Sequence, residues 1–155
     1  MNSVIFAIAP QVDGRVYITE HHTDQFGLIH TQEYLSDAEA DHTALLSTHA
    51  AQIGAQLRQS ELDSWLSEVR QGNPIPADGC KYVTRDEAFA HCFRTLVFDP
   101  DVSALYPAAW MVPYFADEEF TAMGFTGDQI ATIRATADKL TQAKALLDTV
   151  VPLEA

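Results

Sequence analysis

Gly14 to Gly27 reads G-R-V-Y-I-T-E-H-H-T-D-Q-F-G: a turn, a strand and a second turn. Asp13-Gly14 accepts the positive φ angles of a tight type I′ hairpin turn. Val16 and Ile18 alternate with Tyr17 and Thr19, so one face of this strand can be buried. Asp24-Gln25-Phe26-Gly27 is the next turn, with a glycine free to take φ > 0. Upstream, Val4 to Ala9 is a run of branched, aromatic and small apolar residues closed by Pro10, which reads as a strand. Downstream, Leu28 to Leu35 reads as another. The local sum is a three-stranded antiparallel meander. Three strands with one apolar face need a cover.

The cover is the helix that follows. Ser36 to Glu39 has the S-x-x-E form of a capping box and predicts a helix running to Gln71. Leu46, Ala50, Ile53 and Leu57 form one stripe on it; Leu62, Trp65, Leu66 and Val69 form a second, about 130° away at 100° per residue. Either the helix breaks near Ser60, where Ser60-Glu61-Leu62-Asp63 could cap a new one, or one continuous helix serves two different partners; the lack of Gly or Pro between Gln56 and Arg70 favours continuity.

Gly72 to Gly79 is built from helix breakers and predicts a linker. The expected organisation is α+β: residues 1–71 as meander plus long helix, 72–83 as Pro/Gly linker and 84–155 as a helical C-terminal lobe. Thr84-Arg85-Asp86-Glu87 and Thr126-Gly127-Asp128-Gln129 are two more capping boxes, predicting helices to about Phe98 and Thr149. Asp99-Pro100-Asp101 ends the first of them. Val102 to Phe125, rich in aromatics and cut by Pro107 and Pro113, predicts short helices that fill the lobe's core. The last helix carries Ile130, Ile133, Ala137, Leu140, Leu147 and Val151 on a narrow stripe interrupted by Lys144.

Composition narrows the function classes. The chain has 155 residues, 47% of them hydrophobic, and a net charge of −13. Its nine basic residues never cluster, which argues against a nucleic-acid partner and against docking on anionic membrane. No stretch is long and apolar enough to span a bilayer, and the first residues lack a signal peptide's basic start, so a protein made in the cytoplasm and never secreted through the membrane is expected. Cys80 and Cys92, 12 residues apart, fit no disulfide framework or zinc ribbon and are expected as reduced thiols.

Catalytic signals are sparse. His22, Asp24 and His30 could meet if their strands pair, and imidazole with carboxylate suits a divalent metal. The stronger reading has them as turn-flanking polar residues, with Asp24 and Thr23 bonding local backbone N–H groups. No phosphate loop, nucleophile elbow or HExxH pattern occurs. A chain with no enzymatic role, no cofactor and no metal is the expectation.

The stretch from Val16 to Gly27 resembles a type of short protein encoded among the tail genes of tailed bacteriophages. Glu20, His22-Thr23-Asp24, Gly27 and Tyr34-Leu35 carry the likeness, with Thr84-Arg85-Asp86-Glu87 opening the helical half. The resemblance implies a place, the virion tail or baseplate, and tail proteins as partners; it brings no catalytic residues. The expected function is a non-enzymatic structural adaptor joining a tail fibre or neighbouring protein to the baseplate. A fibre-assembly chaperone absent from the particle, or a small metal-dependent enzyme, are the alternatives. Two contact surfaces are expected: the sheet edge with His22, Asp24 and Phe26, and an aromatic face with Trp65, Trp110, Tyr114, Phe115 and Phe120. A homo-oligomer fits the same features.

Overall fold

A computed structural model describes residues 1–98 and 106–150 of the chain. The expected helix end at Asp99-Pro100-Asp101, the start of the aromatic segment at Val102 to Leu105, and Val151 on the last stripe lie outside the described residues. The protein is α+β, with an antiparallel sheet of strand order β1-β2-β3 followed by helices. The strands are Asn2–Pro10 (β1), Arg15–Thr23 (β2) and Ile29–Asp37 (β3). The helices are His42–Arg70 (α1), Arg85–Phe98 (α2), Tyr106–Met111 (α3), Asp117–Ala122 (α4) and Gly127–Leu147 (α5), with a 3-10 turn at Val112–Tyr114. The chain divides into two compact units, Met1–Gln59 and Ser60–Ala155. The division falls inside the continuous α1, not at the expected linker.

In the first unit both hairpins use the same turn. Gly14 N–H bonds Gln11 O and Gln11 N–H bonds Arg15 O; Gly27 N–H bonds Asp24 O and Asp24 N–H bonds Leu28 O. Gly14 and Gly27 sit at φ +83° and +81°, and no non-glycine residue has positive φ among the described residues. A type I′ turn needs two positive φ angles, so the expected Asp13-Gly14 turn is instead a three-residue loop ending in a glycine bulge. β1 carries a second irregularity, a register shift between Ile5 and Ala7 that leaves Phe6 as the extra residue.

The expected helix start at Ser36 is also displaced. β3 stays paired with β2 as far as Asp37, opposite Arg15. The ladder outcompetes the capping box, and α1 begins six residues later, where Asp41 Oδ1 accepts Ala44 N–H at 3.0 Å.

The second unit holds most of the apolar core. Phe93 of α2 sits edge-on to Phe115 and Phe120 at 5.1 and 5.0 Å. Ile130, Ile133, Ala137 and Leu140 close the core from α5, and Leu62, Trp65 and Leu66 of α1 pack against it. The α5 stripe stops there, for Leu147 is exposed. The capping boxes at Thr84/Glu87 and Thr126/Gln129 form as expected.

Residues 72–83 are a packed loop. Gly72 at φ +85° ends α1, with its N–H on Val69 O and that of Asn73 on Glu68 O. Ile75 is buried in the core. Glu61 of α1 then gathers three successive backbone N–H groups, from Lys81, Tyr82 and Val83, at 2.7, 2.5 and 2.9 Å. That carboxylate fastens a breaker-rich segment that composition alone marks as loose. At Gly79 a Cβ would meet Pro76 Cγ at 2.5 Å and Trp65 Cζ2 at 2.9 Å, so only glycine fits there.

Candidate functional site

Alternation along β2 sends Val16, Ile18, Glu20, His22 and Asp24 to one face of the sheet, and all five are buried. Val16 and Ile18 are the only buried apolar side chains of the first unit. Its interior is otherwise a polar network. Glu20 is 0% exposed. Tyr34 of β3 donates its hydroxyl to Glu20 Oε1 at 2.6 Å. His22 Nε2 and His49 Nδ1 each stand 2.9 Å from Oε2. His22 Nδ1 stands 2.8 Å from Ser3 Oγ on β1. With Glu20 ionised, N–H donation from both imidazoles and O–H donation from Ser3 to His22 satisfy every group. β2, β3 and α1 thus meet on one carboxylate, and β1 joins the network through Ser3 on His22.

Burial pushes the Glu20 carboxyl up, but the hydrogen bonds from Tyr34, His49 and His22 together outweigh it and hold the group below its ordinary value. The Tyr34 phenol is raised by burial and by donating to Glu20. Tyr34 also meets the His49 ring edge-on at 4.8 Å.

Of the expected metal set, Asp24 and His30 come together, at 3.1 Å. His22 turns instead to Glu20 and Ser3. Asp24 is mainly a turn residue: its Oδ1 accepts the N–H of Phe26 at 2.8 Å and of Leu28 at 3.0 Å. Among the described residues no group of three His, Cys, Asp or Glu side chains is placed to hold a metal ion. No described helix is long and apolar enough to cross a membrane.

The opposite face of the sheet is open. Phe6 stacks on His21 with ring centroids 4.1 Å apart. Phe6 is 66% exposed, and Val4 of β1, Tyr17 of β2, and Ile29 and Leu35 of β3 on the same face are exposed too. Tyr17 donates to Glu33 at 2.9 Å, and that bond raises its phenol pKa.

The expected contact residues separate into two groups. His22, Asp24 and Phe120 are interior, which removes their side chains from any surface. The reason is local: alternation carries the first two inward, and Phe120 fills the aromatic core. Trp65 and Phe115 are half-buried against that core. Phe26, Trp110 and Tyr114 are exposed, Tyr114 by 85%. Trp110 and Tyr114 flank a groove of about 450 Å³ in the second unit, lined also by Val69, Pro74, Met111 and Pro113. Lys144 Nζ lies 5.6 Å from the Trp110 ring centroid and pairs with Asp148 at 2.7 Å, which resolves the interruption in the α5 stripe. Burial raises both cysteine thiols, Cys92 to about 12.

Ser3, Glu20, Tyr34 and His49 were not legible as one cluster. The alternation of β2, continued two steps past Ile18, is the signal that points Glu20 and His22 inward. No family model, curated protein or solved structure matches the chain.

Proposed function

We propose that the chain is a non-enzymatic structural component of a bacteriophage tail, an adaptor that joins a tail fibre or neighbouring protein to the baseplate. It is made in the host cytoplasm and carried in the virion. The observation that supports this is that each unit exposes an apolar surface of its own. The first offers Val4, Phe6 and Leu35 on the open sheet; the second offers Trp110 and Tyr114 around their groove. Exposed aromatic and aliphatic clusters of this kind suit protein contacts, and a chain with one on each unit can hold two partners. The polar network fits the same role. Its groups are saturated by one another, which makes it a brace for the sheet.

Deletion of the gene from the phage that carries it tests the reading. Particles lacking fibres or baseplate parts in electron micrographs, restored by the wild-type gene and not by a Phe6→Glu/Tyr114→Glu double variant, are expected. Fully formed, infective particles from the deletion would refute it.

A further inference from the structure

Within the buried network three groups stand in a relay. Ser3 Oγ lies 2.8 Å from His22 Nδ1, and His22 Nε2 lies 2.9 Å from Glu20 Oε2. With Glu20 ionised, the imidazole donates its Nε2–H to the carboxylate, so Nδ1 carries the lone pair and accepts the Ser3 hydroxyl. A hydroxyl, a base within hydrogen-bond reach and a third group that orients the base is the arrangement that activates a nucleophile. The sheet fixes each member. Ser3 stands opposite His22 in the β1–β2 register, and Glu20 is two residues back on the same face of β2. Tyr34 and His49 bond the same carboxylate and hold it in place. Exposure rises along the relay: Glu20 and His22 are 0% exposed, whereas Ser3 is half-buried on an edge strand.

We propose that Ser3 is an activated nucleophile that takes an acyl group from an uncharged ester or thioester, with His22 as its base and Glu20 positioning that base. Ser3 Oγ bonds to the acyl carbon while its proton passes to His22 Nδ1, and the Glu20 charge stabilises the imidazolium that forms. The bond from the acyl carbon to its alcohol or thiol then breaks, and His22 returns the proton to that leaving group. The products are the Ser3 ester and the free alcohol or thiol. β1 pairs with β2 alone, so alternate backbone N–H groups around Ser3 face away from the ladder and are available as donors to the oxyanion. The net charge of −13 disfavours an anionic donor such as an acyl phosphate. Hydrolysis of the ester needs a water on His22, and that ring is 0% exposed. The acyl group therefore stays, and the chain is modified once instead of turning over.

This site goes beyond the adaptor reading and does not rest on it, so its failure would leave that reading standing. The test uses the purified full chain and two probes, a fluorophosphonate that labels activated hydroxyls and p-nitrophenyl acetate as the acyl donor. A single fluorophosphonate on Ser3, placed by peptide mass spectrometry, is expected at a rate roughly 100-fold above that of Ser47, an exposed serine of α1. p-Nitrophenyl acetate should release about one p-nitrophenolate per chain in a burst, with acetyl on Ser3 and little release afterwards. Glu20→Gln keeps an acceptor for both imidazoles, so the circular dichroism of the sheet should be retained while labelling slows by about tenfold or more and still ends on Ser3 alone. A purely structural role for Glu20 would not separate rate from fold in this way. Wild type unfolded in urea needs no variant: its Ser3 should label no faster than its Ser47. A folded chain without label on Ser3, equal labelling of Ser3 and Ser47, or Glu20→Gln labelled at the wild-type rate would overturn the inference. Steady release of p-nitrophenolate after the burst would overturn the single, lasting modification.

Discussion

Glu20 is the residue whose replacement separates a hydrogen-bonded brace from an incidental buried charge. Glu20→Leu removes the acceptor of Tyr34, His22 and His49 at once. Hydrogen bonds to a charged group contribute about 1.5–3 kcal/mol each, but these three share one carboxylate and do not add. His22 is 0% exposed and cannot turn to water. Stranding it places Glu20→Leu at about 3 kcal/mol of destabilisation of the first unit. Glu20→Gln should cost only about 1 kcal/mol, since its carbonyl can accept both imidazoles and its NH2 can donate to the Tyr34 oxygen. The pH dependence follows from the same geometry. The folded pKa of Glu20 is lowered, so its stabilisation is present above the ordinary glutamate range and is lost as pH falls through the folded value. Wild type should therefore lose first-unit stability on acidification below about pH 4.5, and Glu20→Gln should lack that increment. The two units need not unfold together, so the assay is hydrogen exchange of residues 1–59 across a denaturant series. A Leu variant within 1 kcal/mol of wild type, or a Gln variant as damaged as the Leu one, would refute the reasoning.

Other perturbations probe the second unit and the turns. Glu61→Ala frees three N–H groups of residues 81–83 and should destabilise the second unit by about 2–4 kcal/mol, read as a drop in its thermal midpoint. Gly27→Ala meets no side chain, so its cost of about 1 kcal/mol is backbone strain alone; Gly79→Ala should cost more, because its Cβ lands on Pro76 and Trp65. Cys92, fully buried with its thiol raised to about 12, should resist a thiol reagent at pH 8 and react only when the unit opens, while Cys80 reacts faster.

The meander was legible because its signals are local. Gly14 and Gly27 mark both turns, and β-branched residues fill the strands between them. The continuity of α1 was legible from the absence of breakers. What failed was competition between signals. Ser36-Glu39 satisfies the capping pattern, yet Arg15 opposite Asp37 extends the sheet through it. The Gly/Pro run after Gln71 has the composition of a linker, but Ile75 and the Glu61 clasp bind it to the core, and a carboxylate 20 residues away leaves no local trace. The polar interior was half legible. Ile18 names the buried face, and Glu20 and His22 follow it by alternation; His49 lies one turn from Leu46 and Ile53 on the stripe that was expected to cover the sheet. Only pairing of strands and helix shows that these groups satisfy one another. The exposed groove residues Trp110 and Tyr114 were expected at a surface, whereas Phe120, from the same aromatic run, fills the core.

Mass spectrometry of gradient-purified particles tests the adaptor role most directly. The expected result is the chain at a fixed copy number per particle, retained through a high-salt wash, since the surfaces assigned to contact are apolar. Its absence from particles that nevertheless require its gene would contradict the adaptor and make the chain an assembly factor.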